Sequence, residues 1–89
     1  MMTTPPMPRI ALETVDQATE RLFSYLANLT GAESYPLGKD GILPRPITDA
    51  WLQVHHIEPV LLQRAALHHG LRLEISDAAY TFALDWETF

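Results

Sequence analysis

The apolar residues between Thr14 and Gly31 recur at every third or fourth position, which is the period of one helix face. The members of this stripe are Val15, Ala18, Leu22, Tyr25, Leu26 and Leu29. The segment begins with "TVDQ", in which Thr14 and Gln17 can form a capping box, and Gly31 suits the left-handed residue that follows a helix. We therefore predict a first helix over 14–30, with Phe23 outside its buried stripe.

A second apolar stripe runs across Pro59. Its members are Ile47, Trp51, Val54, Ile57, Leu61 and Ala65. Because Pro59 lacks an N–H donor and its ring clashes with the preceding turn, the stripe is expected to divide there. We predict one helix over 48–57, capped by Thr48, and another over 59–69 that stops at Gly70.

After Gly70 the apolar period changes to two, which is typical of a strand with one buried face. A short loop at "SDAA" places the large apolar side chains of both strands on one face of a hairpin. The resulting pairs are Ile75 with Tyr80, Leu73 with Phe82 and Leu71 with Leu84. The alternative is a helix over 78–86, but alternating aromatic and β-branched residues favour the strand.

These elements predict an α+β protein in which two to three helices pack on a C-terminal antiparallel β-hairpin, in the order α-α-α-β-β. Residues 1–9 contain three prolines and are expected to form a flexible arm, and residues 10–89 a single domain. Residues 31–47 contain three glycines and three prolines, which is typical of a long loop. The predicted core residues are Leu22, Leu26, Trp51, Leu61, Leu73 and Phe82.

Charge and composition narrow the classes of partner. Eleven acidic and six basic residues give a formal net charge of −5, and there is no cysteine. Such a chain repels nucleic acid, offers no polybasic patch to an anionic membrane and can form neither disulfides nor thiolate metal sites. Because it shows no secretory signal and no run of ~20 apolar residues, a cytoplasmic location is expected.

All four histidines lie in "VHHIEPVLLQRAALHHG", as the pairs His55–His56 and His68–His69. A continuous helix would separate the two pairs by ~20 Å, too far to share a metal ion, unless a dimer completed the site. No serine lies in a nucleophile elbow, and "GKDG" at 38–41 lacks the spacing of a phosphate loop. We expect no catalytic residue, no metal and no cofactor, and keep a histidine-dependent metal-binding protein or small enzyme as a second alternative.

The order helix, helix, glycine, hairpin over 48–85 is that of a winged helix-turn-helix, which makes a nucleic-acid-binding regulator the first alternative. Only Gln63, Arg64 and the terminal histidines are expected on the surface of its second helix, too few cations for phosphate contacts. The apolar positions of residues 60–84 are also loosely similar to the small β-hairpin docking domains of assembly-line enzymes, a pattern too general to assign a family.

The function expected is a non-catalytic protein–protein interaction by a small regulator, inhibitor or accessory subunit. It would dock onto a protein partner or onto a second copy as a homo-oligomer. The expected contact elements are the hairpin edge, the acidic and aromatic tail, and the long loop, since unpaired edges, aromatic residues with a polar border and long loops are common in contact sites. The residues assigned to contact are Tyr35, Lys39, Arg45, Asp85, Trp86, Glu87 and Phe89.

Overall fold

The computed structural model describes residues 13–85, which form three α-helices and three β-strands. The elements in chain order are α1 (Val15–Thr30), β1 (Ile42–Pro44), α2 (Arg45–Val54), α3 (Pro59–His68), β2 (Leu71–Ile75) and β3 (Ala79–Leu84). The predicted α+β class and the C-terminal hairpin are confirmed, but the sheet has three strands. Within the described residues no helix is both long and apolar enough to cross a membrane.

The N-terminus of α1 is capped as its sequence predicts. The Thr14 hydroxyl accepts a hydrogen bond from the Gln17 N–H at 3.1 Å, and the Gln17 side chain accepts one from the Thr14 N–H at 3.0 Å. These two bonds satisfy donors that have no partner inside the helix. Gly31 follows the helix with a φ of 76°.

The buried face of α1 differs from the predicted one. Phe23 is fully buried, whereas Tyr25 and Leu29, both assigned to the apolar stripe, are 45% and 65% exposed. The prediction that Phe23 lies on the surface is wrong, because its ring packs edge-on against Trp51 and Phe82, with centroids 5.4 and 5.9 Å away. These ring contacts join α1 to α2 and β3, so the rotation of α1 is set by contacts with other elements.

The sheet is antiparallel with the strand order β1-β3-β2, so β3 lies in the centre. The predicted hairpin register is confirmed in all three pairs, Ile75 with Tyr80, Leu73 with Phe82 and Leu71 with Leu84. The third strand comes from residues 31–47, for which the sequence predicts a long loop with at most a local extended pair around "GKDG". Leu43 of β1 pairs with Tyr80 and is fully buried, which covers one edge of β3.

A tight turn at Lys39–Ile42 leads into β1. Lys39 and Ile42 exchange two backbone hydrogen bonds of 3.3 and 3.0 Å. Both central residues, Asp40 and Gly41, have positive φ values of 57° and 73°, as a type I′ turn requires. The Gly41 N–H donates to the Asp16 carboxylate of α1 at 2.7 Å, which ties the turn to the helix.

The boundaries of α2 differ from the predicted 48–57. The helix begins at Arg45 because Pro46 lies in its first turn, where a missing N–H costs nothing. Thr48, the predicted cap, is therefore buried inside the helix. The helix ends early because His56 adopts a φ of 59° and the Ile57 N–H returns to the Leu52 carbonyl at 2.8 Å, a Schellman arrangement.

Helix α3 begins at Pro59 as predicted and ends one residue before the predicted 59–69, but it presents a different face to the core. Leu62 and Ala66 are fully buried, whereas Leu61, a predicted core residue, is 47% exposed. Trp51, also predicted in the core, is half-buried at its margin. The core lies between the helices and one face of the sheet. Its largest members are Leu22, Phe23, Leu26, Leu43, Leu52, Leu62, Leu71, Leu73, Tyr80 and Phe82.

Candidate functional site

Tyr35, a predicted contact residue, is half-buried and helps to cover the core. Its ring stacks on Phe23 with centroids 6.5 Å apart, and its hydroxyl donates to the Glu20 carboxylate at 3.4 Å. The neighbouring Ser34 carbonyl accepts a 2.7 Å hydrogen bond from the Trp51 indole. These contacts attach the loop after α1 to the fold and leave only part of the Tyr35 ring for a partner.

Arg45, a second predicted contact residue, joins α2 to the hairpin turn. Its Nε donates to the Asp49 carboxylate at 3.1 Å and its NH1 to the Ser76 carbonyl at 3.0 Å. The guanidinium also lies 5.5 Å from the centroid of the Tyr80 ring. The guanidinium therefore already has internal partners, which favours a structural role.

The structure describes two of the remaining predicted contact residues, Lys39 and Asp85. Asp85 is buried, its carboxylate pairs with Arg72 at 3.2 Å and its N–H donates to the Gly70 carbonyl at 3.0 Å. Lys39 is exposed in the turn before β1. Trp86, Glu87 and Phe89 lie outside the described residues.

A titratable pair joins α2 to β3, since the Tyr80 hydroxyl donates to the Asp49 carboxylate. This bond, and then the charge and hydrogen bond of Arg45, hold the pKa of Asp49 below its ordinary value. Burial first, and then Asp49, raise the pKa of Tyr80 to about 12. The phenol therefore stays protonated and bonded to Asp49, which suits a structural contact better than a catalytic base.

The histidines lie at helix ends. His69 follows α3 and contacts Arg21 of α1, whose NH1 lies 2.9 Å from Nδ1 and whose NH2 donates to the His69 carbonyl at 3.1 Å. Because a guanidinium can only donate, Nδ1 accepts and this arrangement requires the neutral ring. Burial first, and then Arg21, lower the pKa of His69. Among the described residues no three histidine, aspartate or glutamate side chains are grouped to hold a metal ion.

A groove of about 300 Å³ lies between α3 and β2 and is open to solvent. We name it the edge groove, and it is lined by Val60, Gln63, Arg64, Leu67, Arg72 and Leu73. Val60, Arg64 and Leu67 share one face of α3 because they lie four and seven residues apart. Val60 and Leu67 are each nearly half exposed, so the groove offers apolar surface beside two arginines.

The backbone of β2 presents an unpaired edge beside this groove. Hydrogen bonds join Ser76 N–H to Ala79 and Asp85 N–H to Gly70, at the two ends of the hairpin. Since hydrogen-bonded and non-hydrogen-bonded pairs alternate along antiparallel strands, Arg72 and Glu74 bond to β3. The N–H and C=O groups of Leu71, Leu73 and Ile75 then point away from β3, and no other strand among the described residues pairs with them. Leu71 has no exposed surface, so the open part of this edge lies at Leu73 and Ile75.

The opposite edge of the sheet is protected. The outward N–H and C=O of Ile42 in β1 are bonded to Lys39, and Pro44 has no N–H to offer. The strand is also only three residues long. Natural sheets commonly block edges by short strands, prolines and covering turns, so the open edge of β2 stands out within this sheet.

No protein-family model, curated protein or solved structure matches the chain. The interpretation of the site therefore depends on its own geometry and charge.

Arg64 differs in its ion pairing from the other arginines that the structure describes. Arg21, Arg45 and Arg72 each form an ion pair with a carboxylate, whereas Arg64 forms none with any described residue.

A second exposed apolar surface lies on α2. Ile47 and Val54 are 59% and 69% exposed, and with Ala50 and Trp51 they form an apolar strip beside Tyr35. This strip carries no unpaired strand edge and no cation. It is therefore a less specific docking surface than the edge groove.

The sequence predicts a contact at the hairpin edge but does not point to α3, which the structure places beside that edge. The signal was present, because Val60, Arg64 and Leu67 recur at helix spacing. However, Leu61 and Ala65 also recur at helix spacing, so the sequence does not show which of the two faces of α3 is buried. Only the packing of Leu62 against the sheet shows which of the two faces is free.

Proposed function

We propose that this protein is a non-catalytic interaction module, a small regulator, inhibitor or accessory subunit, that docks its partner in the edge groove. The observation that supports this best is the combination of apolar helix surface with an unpaired strand edge in one groove. Val60 and Leu67 supply area whose burial is favourable, and the backbone of β2 supplies directional hydrogen bonds. Together they provide affinity and register for a protein partner.

The chemistry of the described residues is consistent with a role other than catalysis. The Tyr80 phenol and the Asp49 carboxylate are bonded to each other, and the edge groove contains no carboxylate or histidine that could act as an acid or a base. Its polar groups are Gln63 and two arginines. Such groups bind and orient a ligand without transferring protons at neutral pH.

Nucleic-acid binding is the second candidate, because one specific observation favours it. The chain order α1-β1-α2-α3-β2-β3 contains two helices joined by four residues and followed by a hairpin, as in winged helix-turn-helix proteins. However, α3 exposes Val60, Leu61 and Leu67 with Arg64 as its single cation, and the net charge is −5. The same architecture therefore fits a protein partner better than a phosphate backbone.

The experiment that tests docking is affinity purification of the tagged full chain from cells that produce it, with quantitative mass spectrometry. Leu67→Glu places a charge in the edge groove, and the matched control Leu29→Glu makes the same change on the exposed surface of α1. We expect a specific partner to copurify with the wild type and with Leu29→Glu. It should be lost from Leu67→Glu.

Two outcomes would contradict the proposal. If Leu67→Glu retained every specific partner, the edge groove would not be the docking surface. If instead the partner were lost on Val54→Glu, docking would belong to the strip on α2. Circular dichroism of each variant should show the same helix content, so that a loss of binding reports on the surface.

A further inference from the structure

We infer that the edge groove takes an extended peptide that adds a fourth strand to β2, with apolar residues at alternate positions and a carboxylate that reaches Arg64. This inference rests on the proposed function and specifies the partner. It names a conformation, a residue pattern and a charge. Each of the three follows from a different feature of the groove.

The conformation follows from the backbone of β2. Leu71 has no exposed surface, but Leu73 and Ile75 direct two N–H and two C=O groups away from β3. An added strand satisfies them at a spacing of two residues, whereas a bound helix has no free backbone groups along its length to offer them. Five residues of strand span roughly 17 Å, so a peptide of five to seven residues would cover the edge.

The residue pattern follows from the two faces of the added strand. Side chains directed toward α3 would meet Val60, Leu67 and Leu73, which are apolar. Side chains directed to the other face would lie beside Arg72 and Glu74, on the solvent side of the sheet. Because successive strand residues point to opposite faces, the peptide should alternate between apolar and polar positions.

The charge follows from Arg64. Arg72 already pairs with Asp85, but Arg64 has no carboxylate among the described residues, although the protein has a net charge of −5. A carboxylate on the peptide would form a charge-assisted hydrogen bond there, partly shielded from water by Val60 and Leu67. The net negative charge of the protein attracts basic partners at long range. A preference for acidic peptides would therefore have to come from the local charge of the groove.

A selection experiment tests the pattern and the charge without knowledge of the natural partner. A phage-displayed library of random nonapeptides would be selected on the immobilised full chain. We expect enrichment of valine, isoleucine and aromatic residues at alternate positions together with aspartate or glutamate. Lysine, arginine and proline should be depleted.

Nuclear magnetic resonance with the tightest selected peptide tests the conformation. The amide protons of Leu73 and Ile75 should become protected from solvent exchange. Those of Arg72 and Glu74, which already bond to β3, should change little. A peptide N-methylated at alternate residues should lose binding when the methyl groups replace the donors that face β2, and keep it in the other phase.

Two charge reversals provide a matched comparison. Arg64→Glu should weaken the selected peptide by roughly tenfold or more, since it replaces a charge-assisted hydrogen bond by repulsion. Lys39→Glu changes the net charge by the same amount at an exposed position outside the groove and should alter affinity by no more than about twofold. Equal effects of the two reversals would overturn the role of Arg64.

The remaining outcomes separate this inference from the proposed function. No enrichment, enrichment without acids, or binding that protects no amide of β2 would overturn the inference. If a cellular partner were nevertheless lost on Leu67→Glu, the docking function would stand with a different kind of partner. If the outward amides of Leu73 and Ile75 became protected on raising the concentration of the protein alone, the occupant would be a second copy of this chain.

Discussion

At the scale of single residues, Gly31 and Gly41 have nearly the same backbone angle, with φ values of 76° and 73°, in different surroundings. A Cβ on Gly31 would meet no atom within 4 Å. A Cβ on Gly41 would lie 2.3 Å from a methyl group of Val15 and 2.7 Å from the Phe82 carbonyl oxygen. Gly31 is therefore required for its angle alone, and Gly41 for its angle and for the close approach of α1 and β3.

We predict that Gly31→Ala lowers the free energy of unfolding by about 1 kcal/mol, the cost of a left-handed alanine. Gly41→Ala should lower it by at least about 2–3 kcal/mol, because the backbone of β3 must also move. Urea denaturation of both variants measures the difference. If both variants lost the same free energy of unfolding, the contacts of a Cβ at Gly41 with Val15 and Phe82 would add no cost.

At the scale of elements, α3 illustrates a general difficulty. Its sequence "PVLLQRAALH" is apolar on most sides, so two stripes compete for the core. The periodicity predicts that Leu61 is buried, whereas Leu62 and Ala66 are the buried residues in the structure. Which face of α3 is buried depends on how the helix packs against β2. This contact between two elements cannot be seen in the spacing of residues within one of them.

The two neighbouring leucines give a direct test of this helix rotation. Leu62→Ala should cost about 2–4 kcal/mol of unfolding free energy, because it opens a cavity in a fully buried site. Leu61→Ala should cost less than about 1 kcal/mol, because its side chain is nearly half exposed. Chemical denaturation gives both values. A reversed order would mean that α3 presents its other face to the core.

The ends of α2 depend on context in a similar way. Pro44 and Pro46 favour a loop when each is considered alone, yet both are tolerated at the start of a helix. The end at Val54 depends on a histidine in the left-handed region, a position that glycine usually occupies. Local preferences therefore located this helix to within about three residues and no better.

At the scale of the whole molecule, His69 links α1 to the junction of α3 and β2. The groups that face it are Arg21, His68 and the Tyr25 ring, whose centroid is 4.9 Å away. Its pKa in the folded state lies below the ordinary value of 6.5, so the unfolded chain takes up a proton first as the pH falls. The contribution of His69 to stability is therefore constant above pH 6.5 and decreases between 6.5 and its folded pKa.

We predict that His69→Gln reduces the loss of stability between about pH 7.5 and 5, because the glutamine amide oxygen can accept from Arg21 without titrating. Thermal denaturation across this range measures the slope. The range stays above the region where Asp49, with its lowered pKa, loses its own contribution on protonation. If the variant lost stability with pH as steeply as the wild type, the pH dependence would come from groups other than His69.

The charge of the whole chain leads to a prediction about nucleic acid. With a net charge of −5, the protein should show no measurable binding to random duplex DNA at physiological salt. A gel-shift titration tests this up to the usual range of nonspecific binding, about 10⁻⁶–10⁻⁴ M. Saturation within that range would favour the winged-helix interpretation.

The sequence by itself determined the elements whose signals are local. The Thr14–Gln17 capping box, Pro59 at the start of α3 and the alternation on either side of residues 76–79 each need only neighbouring residues, and each is confirmed. The same holds for the α+β class, which follows from the order of these elements. The physical reason is that caps, proline geometry and strand alternation act within a few residues.

Only the tertiary structure decided which faces are buried and which edge is open. The pairing of Leu43 with Tyr80 joins residues far apart in the chain, and it makes β1 a strand although the segment around it, residues 31–47, contains three glycines and three prolines. That pairing covers one edge of the hairpin and leaves the other edge beside Val60, Arg64 and Leu67. Whether an apolar residue joins the core or a docking groove depends on such long-range packing, because both uses require the same side chains.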